Sequence, residues 1–246
     1  TDLLNIVRHG GAEMPGFSDN DVSEEDVKEI AIYLRDLSSK NYFAASFGLA
    51  TAGKPVLVTI AAPLQKMTPV TEKMLEHPDP SDWLNWRRTL NGWGYSPLSQ
   101  INLHNASHLQ LAWAWTLNSG TSEPTPLVHN GVMFIPNPNG GIPALDAATG
   151  DLLWAYKKDI ESQPPPDLPL YPWTNFDQMR NIAIYGNKIF MATHDAHLMA
   201  LDARTGKVVW DRTVADYRMG YRYSSGPIVA DGVIVTGMAG CERFKN

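Results

Sequence analysis

The side chains of this 246-residue sequence that could do chemistry stand apart from one another along the chain. His104 and His108 lie four residues apart, and His194 and His197 three apart. Those spacings suit two ligands of a zinc ion, but neither pair has a third ligand or a Glu at the needed offset. The one cysteine, Cys241, rules out an internal disulfide framework and any four-thiolate zinc or iron–sulfur centre within this chain. The run NPNGGIP at 137–143 leads into a strand pattern rather than a helix, so it reads as a turn and not as a phosphate cradle. Met14, in HGGAEMPGF, is a soft thioether in a Gly- and Pro-rich loop, while Glu123, Arg180 and Glu242 are lone charged residues in loop-like segments. Such groups act only if a fold gathers them, and the elements that position them decide what they can do.

The main positioning element is a repeat. ALDAATGDLLW at 144–154 returns as ALDARTGKVVW at 200–210, a period of 56 residues, so that Asp146, Thr149, Gly150 and Trp154 are answered by Asp202, Thr205, Gly206 and Trp210. Each copy predicts strand, tight turn, strand. Asp caps the turn through backbone amides, Thr adds a hydroxyl, and Gly takes a left-handed position that a Cβ would resist. Upstream, PLVHNGVMFIP at 126–136 and IAIYGNKIFMAT at 182–193 read as hairpins about Asn-Gly and Gly-Asn turns. Four short strands per repeat make a propeller blade. A third blade begins in SGPIVADGVIVTG at 225–237 and breaks off, which leaves about two and a half blades against the four to eight that close a propeller. The sequence is therefore expected to be a fragment of a longer protein.

The first forty residues differ in character. VSEEDVKEIAIYLRDL places Val27, Ile30, Ala31 and Leu34 on one helical face, with Ser23 and Asp26 as a capping box and Val22 as a staple onto Val27; it predicts a helix over 24–37. Leu3–Val7 suits the end of another helix. The weakly polar stretch from Phe43 to Leu64 is broken by Lys54-Pro55 and reads as an interdomain linker rather than a membrane span. The expected divisions are thus 1–40, a linker over 41–74, and 75–246. Twenty basic against 26 acidic residues leave a net charge of −6, which argues against a nucleic-acid partner. The expected fold is mainly β, a partial β-propeller with a small α-helical N-terminal piece.

These motifs resemble a known family. The Ala-x-Asp-x-x-Thr-Gly-x-x-x-Trp repeat is similar to the tryptophan-docking blades, eight in the complete propeller, of quinoprotein alcohol dehydrogenases, which bind pyrroloquinoline quinone (PQQ). DWLNWRRTLNGWGYSPLSQIN at 82–102 resembles the segment leading into that propeller, and LAWAWTL at 111–117 its first outer strand. HGGAEMPGF with its capped helix resembles the C-terminal half of a class I cytochrome c, in which the matching Met14 would be an axial ligand of haem iron; the Cys-x-x-Cys-His attachment motif is not in this sequence.

The resemblance implies site residues. Glu123 matches an acidic residue that contacts PQQ, and Arg180 an Arg that pairs with the quinone oxygens. Ser224, or Ser225 if the register shifts by one, matches a hydroxyl on a cofactor carboxylate. The backbone of Ala239, Gly240 and Cys241 would line the cofactor, and Glu242 matches a ligand of calcium or a lanthanide. Cys241 would pair with a cysteine beyond the end. The catalytic Asp of the family would also lie beyond Asn246. The adjacent-cysteine ring that many members set against PQQ is replaced here by Trp173-Thr174-Asn175-Phe176. By resemblance the parent protein is a periplasmic quinohaemoprotein alcohol dehydrogenase, acting on a small or polymeric alcohol and passing electrons to a c-type cytochrome haem. The docking repeats are also compatible with a cofactor-free propeller scaffold like the outer-membrane assembly lipoprotein.

Overall fold

The structure, a computed structural model, describes residues 2–10, 16–39, 56–57, 62–118, 122–138, 140–160 and 179–239. The chain divides into two compact units, Thr1–Phe47 and Gly48–Asn246.

The first unit holds α1 (Asp2–His9) and α2 (Glu24–Ser39). The capping box forms as expected. The Ser23 N–H donates to Asp26 Oδ2 at 3.0 Å and the Asp26 N–H to Ser23 Oγ at 3.1 Å, which satisfies N-terminal amides that the helix itself cannot. Arg8 organises the loop between the helices by donating through Nη1 to the carbonyls of Phe17, Ser18 and Val22 and pairing with Asp19. Val27 is buried as predicted, but Ile30 on the same stripe is half exposed. The eight-residue α1 is half the length of α2 and cannot cover the whole stripe. Met14 lies outside the described residues.

The second unit is mainly β. One sheet has the order β1-β5-β4-β3-β2, from Val56–Leu57 (β1), Leu127–His129 (β2), Val132–Phe134 (β3), Gly141–Asp146 (β4) and Leu152–Lys157 (β5). Another has the order β6-β7-β8-β9, from Ala183–Tyr185, Lys188–Ala192, His197–Asp202 and Val208–Thr213. A hairpin of β10 (Ile228–Ala230) and β11 (Val233–Val235) follows. All these pairings are antiparallel. Each strand from β6 to β9 begins 56 residues after its counterpart among β2 to β5, and the bulge after Ala144 returns after Ala200. These are two four-stranded blades and the start of a third.

The repeated letters take the roles expected of them in the turns. Asp146 Oδ1 accepts from the amides of Ala148 and Thr149, and Asp202 Oδ1 from those of Arg204 and Thr205; Gly150 and Gly206 have φ of 76° and 67°. Trp113 and Trp154 do something that the repeat alone does not reveal, for each docks on the turn of the blade that follows it. Trp113 Nε1–H donates to the Ala147 carbonyl at 3.2 Å, and Trp154 Nε1–H to the Ala203 carbonyl at 3.0 Å. Each indole lies flat against a turn glycine, so that a Cβ on Gly150 or Gly206 would come within 2.7 or 2.6 Å of the ring. Glycine is thus required twice over, for its backbone angle and for ring contact. The core runs between blades through Phe134, Ile142, Trp154, Ile184, Ile189, Met191 and Met199.

The meander fixes which ends of the blades coincide. The starts of β2, β6 and β10 share one end with the β3–β4 and β7–β8 connections, whereas the hairpin turns and both Asp–Thr–Gly turns lie at the opposite end. A strap crosses that opposite end. It contains α3 (Ala62–Lys66) and α4 (Glu72–Glu76), and Leu64, Met67, Val70 and Leu75 sink into the core. Val70 exchanges backbone hydrogen bonds with Gly186 of the second blade, and Trp83 with Val128 of the first. Residues 62–74 of the segment read as a linker are therefore packed into the second unit. Residues 111–117, likened to an outer strand, join no ladder among the described residues. No described helix is long and apolar enough to cross a membrane.

Candidate functional site

Glu123 stands four residues before β2, Arg180 three before β6 and Ser224 four before β10. Because the innermost strands of successive blades all begin at one end, the fold brings these three together. Arg180 Nε donates to Glu123 Oε2 at 2.6 Å, and its Nη1 donates to the Ser224 carbonyl at 2.6 Å. The guanidinium is thereby held by three successive blades. Backbone contacts support it, since the Thr125 N–H donates to the Arg180 carbonyl at 3.1 Å and Ser122 bridges Met179. A Cβ on Gly226 would sit 2.0 Å from the Asn181 carbonyl oxygen, so the second and third blade starts touch backbone to backbone.

The Arg180 and Glu123 side chains remain 38% and 54% exposed. An ion pair that open contributes little to stability, so orienting the guanidinium is its main effect. It is the Ser224 carbonyl that holds Arg180. Ala239 exchanges both backbone hydrogen bonds with Arg222, so it offers the site its position rather than a free amide. Gly240, Cys241 and Glu242 lie outside the described residues, as does the Trp173–Phe176 stretch. Among the described residues no three His, Cys, Asp or Glu side chains are grouped to hold a metal ion.

Sequence reasoning passed over Asn181. Its Oδ1 is buried with no described partner, directly beside Arg180 in the chain, and only the burial distinguishes it from any other loop carboxamide. An oriented guanidinium between two oxygen acceptors, together with an unpaired amide oxygen, suits an anionic ligand rich in oxygens that also carries a donor.

A second polar group lies at the same end but farther out on the blades. Lys158, just after β5, reaches across to the second blade, with Nζ 3.2 Å from Asp195 Oδ2 and 3.3 Å from Asp211 Oδ2. His197 Nδ1 lies 2.6 Å from Asp211 Oδ1. Lys158, Asp195 and His197, with Thr213, Asp216 and Arg218, line a cavity of about 520 Å³ that does not include Arg180. Lys158 and Asp195 are nearly buried and paired, so the group is a brace between blades.

Tyr156 is packed close to that brace. Burial, and then the charges of Asp211 and Asp195, push its phenol up to about 12 from an ordinary 10.0. Because the fold favours the neutral phenol, this contribution is complete below pH 10 and is lost as pH rises towards about 12. In a phenolate absorbance titration Tyr156 is expected to ionise late, and Tyr156→Phe to remove that late component. If the titration of Tyr156→Phe superimposes on that of the parent, the placement of Tyr156 is wrong.

The family model for the β-propeller domain of glucose, ethanol and alcohol dehydrogenases of the PQQ type matches residues 83–245. The chain belongs to the PQQ-dependent dehydrogenase propeller family. The matched span takes in Glu123, Arg180, Ser224, Ala239 and Glu242, and leaves the two-helix unit outside it. Among curated relatives, this PQQ-family chain is 35% identical over 176 residues to the quinoprotein alcohol dehydrogenase PedH of Pseudomonas putida, covering 70% of this chain and 28% of that protein. It is 34% identical over 162 residues to quinohemoprotein alcohol dehydrogenase ADH IIB of Pseudomonas putida, covering 65% and 23%. A solved structure of a europium-containing methanol dehydrogenase superimposes with a TM-score of 0.61 at 29% identity, covering 69% of this chain and 29% of that one. The chain thus spans about a quarter of the length of the curated relatives it matches.

Proposed function

We propose that the chain is part of an alcohol dehydrogenase in which PQQ sits at the blade-start end, held by Arg180 and Glu123, with the backbone about Ala239, Gly240 and Cys241 along its edge. The observation that carries this is the convergence of Glu123, Arg180 and Ser224 from three blades onto one guanidinium. When bound, PQQ would supply an ortho-quinone as acceptor for the hydride of an alcohol carbon, the hydroxyl proton passing to a base and a hard cation polarising the quinone carbonyl. Arg180 keeps a fixed positive charge beside cofactor oxygens, and its two hydrogen bonds limit the reorganisation needed when those oxygens gain charge. Glu123 and the Ser224 carbonyl act on Arg180 by aiming it. Glu242 supplies a carboxylate to calcium or a lanthanide.

We further propose that electrons pass to a c-type haem for which Met14 supplies the axial thioether, in a periplasmic protein. Support comes from the Met-Pro loop before a capped helix and from a relative named as a quinohemoprotein. In the protein that carries this chain, adding PQQ with calcium or lanthanum is expected to quench tryptophan fluorescence. Arg180→Lys, which keeps the charge but loses the planar fork, is expected to weaken uptake about tenfold or more. A folded protein that takes up no PQQ under either metal overturns the proposal and leaves the scaffold reading.

A further inference from the structure

Gly226 stands at the start of the third blade, two residues after Ser224 and one before Pro227. Its φ is not in the left-handed region, so alanine would fit its backbone angles. The space around it is what excludes a side chain. A Cβ there would lie 2.6 Å from Asn181 Cβ and nearer still to the Asn181 carbonyl carbon and oxygen. Two of those three atoms belong to the backbone and cannot swing aside. A glycine at such a place marks the close approach of a second backbone. Gly237, just after β11 in the same blade, is the contrast, for its φ is also ordinary and a Cβ on it would meet nothing within 4 Å.

The close approach bears directly on Arg180. Asn181 is its neighbour in the second blade's start, so the same two segments make both the backbone contact and the 2.6 Å bond from Arg180 Nη1 to the Ser224 carbonyl. The first and second starts are tied separately, by the Thr125 N–H on the Arg180 carbonyl and by the Ser122–Met179 bridge. Glu123 holds Arg180 at Nε, which leaves rotation about the Nε–Cζ bond open; the Ser224 carbonyl on Nη1 stops that rotation. To bring a Cβ at position 226 out to even 3.0 Å from the Asn181 carbonyl oxygen, the two starts must part by about 1 Å. A hydrogen bond of 2.6 Å does not survive such a displacement.

We propose that Gly226 is a positioning residue for Arg180. By letting the second and third blade starts meet backbone to backbone, it keeps the Ser224 carbonyl on Nη1 and so fixes the plane of the guanidinium. Its effect on PQQ rests on the function proposed for Arg180, whereas the aiming of the guanidinium does not.

The test uses the protein that carries this chain, with its arginine guanidinium groups isotopically labelled, and starts without PQQ. The Arg180 signals are those lost in Arg180→Lys. In the wild type Nη1 and Nη2 are expected to give separate signals. In Gly226→Ala, rotation about Nε–Cζ is expected to quicken about tenfold or more, as follows from losing a hydrogen bond made by a charged donor. Gly237→Ala is expected to leave the rate unchanged. Equal rates in the wild type and Gly226→Ala overturn the proposal, and so does fast rotation in the wild type, even if Gly226→Ala fails to fold. PQQ uptake is then measured in the same proteins. Gly226→Ala is expected to weaken it about tenfold, and to cost nothing further in an Arg180→Lys background, because both changes act on one guanidinium. Costs that add in full overturn the proposal. A wild type that takes up no PQQ overturns the function proposed for the chain, while the rotation rates still decide whether Gly226 aims Arg180.

Discussion

Trp154→Ala is expected to cost about 4 kcal/mol of unfolding free energy, the largest loss from any single truncation in the blades. Trp154 is fully buried, packs with Phe134 at a centroid distance of 5.8 Å, and donates its indole N–H to the Ala203 carbonyl of the next blade. Truncation leaves a cavity against Gly206 and orphans that carbonyl at once. Trp210, its partner in the repeat, is only half-buried and touches Phe190, so Trp210→Ala is expected to cost about half as much or less. Urea unfolding of the two variants checks the ratio. Equal costs would mean that docking on the next blade adds nothing to burial of the ring in its own blade.

Lys158→Met is expected to destabilise by about 3 kcal/mol, because it removes one partner of a buried ion group and keeps the other. Asp195, with only 8% of its side chain exposed, would lose the ammonium 3.2 Å away and keep the Thr193 hydroxyl. Adding Asp195→Asn to that variant is expected to recover part of the loss, since a neutral amide in the same place needs no counter-charge. A double-mutant cycle in urea measures the coupling. If the double variant is less stable than Lys158→Met alone, the brace is not held by charge pairing.

Much of the local structure was legible in the sequence for a plain reason. A tight turn, a hairpin or a helix cap involves residues within a few positions of one another, and each demands particular side chains. Asp146, Thr149 and Gly150 announced their turn, Asn130 and Gly131 their hairpin, and Ser23 with Asp26 their helix start, and each forms as expected. The 56-residue repeat also carried the blade architecture, because every strand recurs at that spacing. Glu123, Arg180 and Ser224 could be named from the family likeness alone, but their neighbourhood could not be read off, since 57 residues separate Glu123 from Arg180 and 44 separate Arg180 from Ser224.

Residues close together in the chain fix the local units, namely hairpins, turns and a capped helix, and their repetition marks the propeller family. Which groups then meet is settled by the packing of separate blades. It set Trp113 and Trp154 each on the following blade's glycine, turned the Ser224 carbonyl towards Arg180, and drew the strap's Asp82 onto His129 across 47 residues. The physical reason is range. Turn and cap energies depend on adjacent backbone angles, whereas docking, ion pairing and burial depend on where separate blades come to rest, and no local spacing records that.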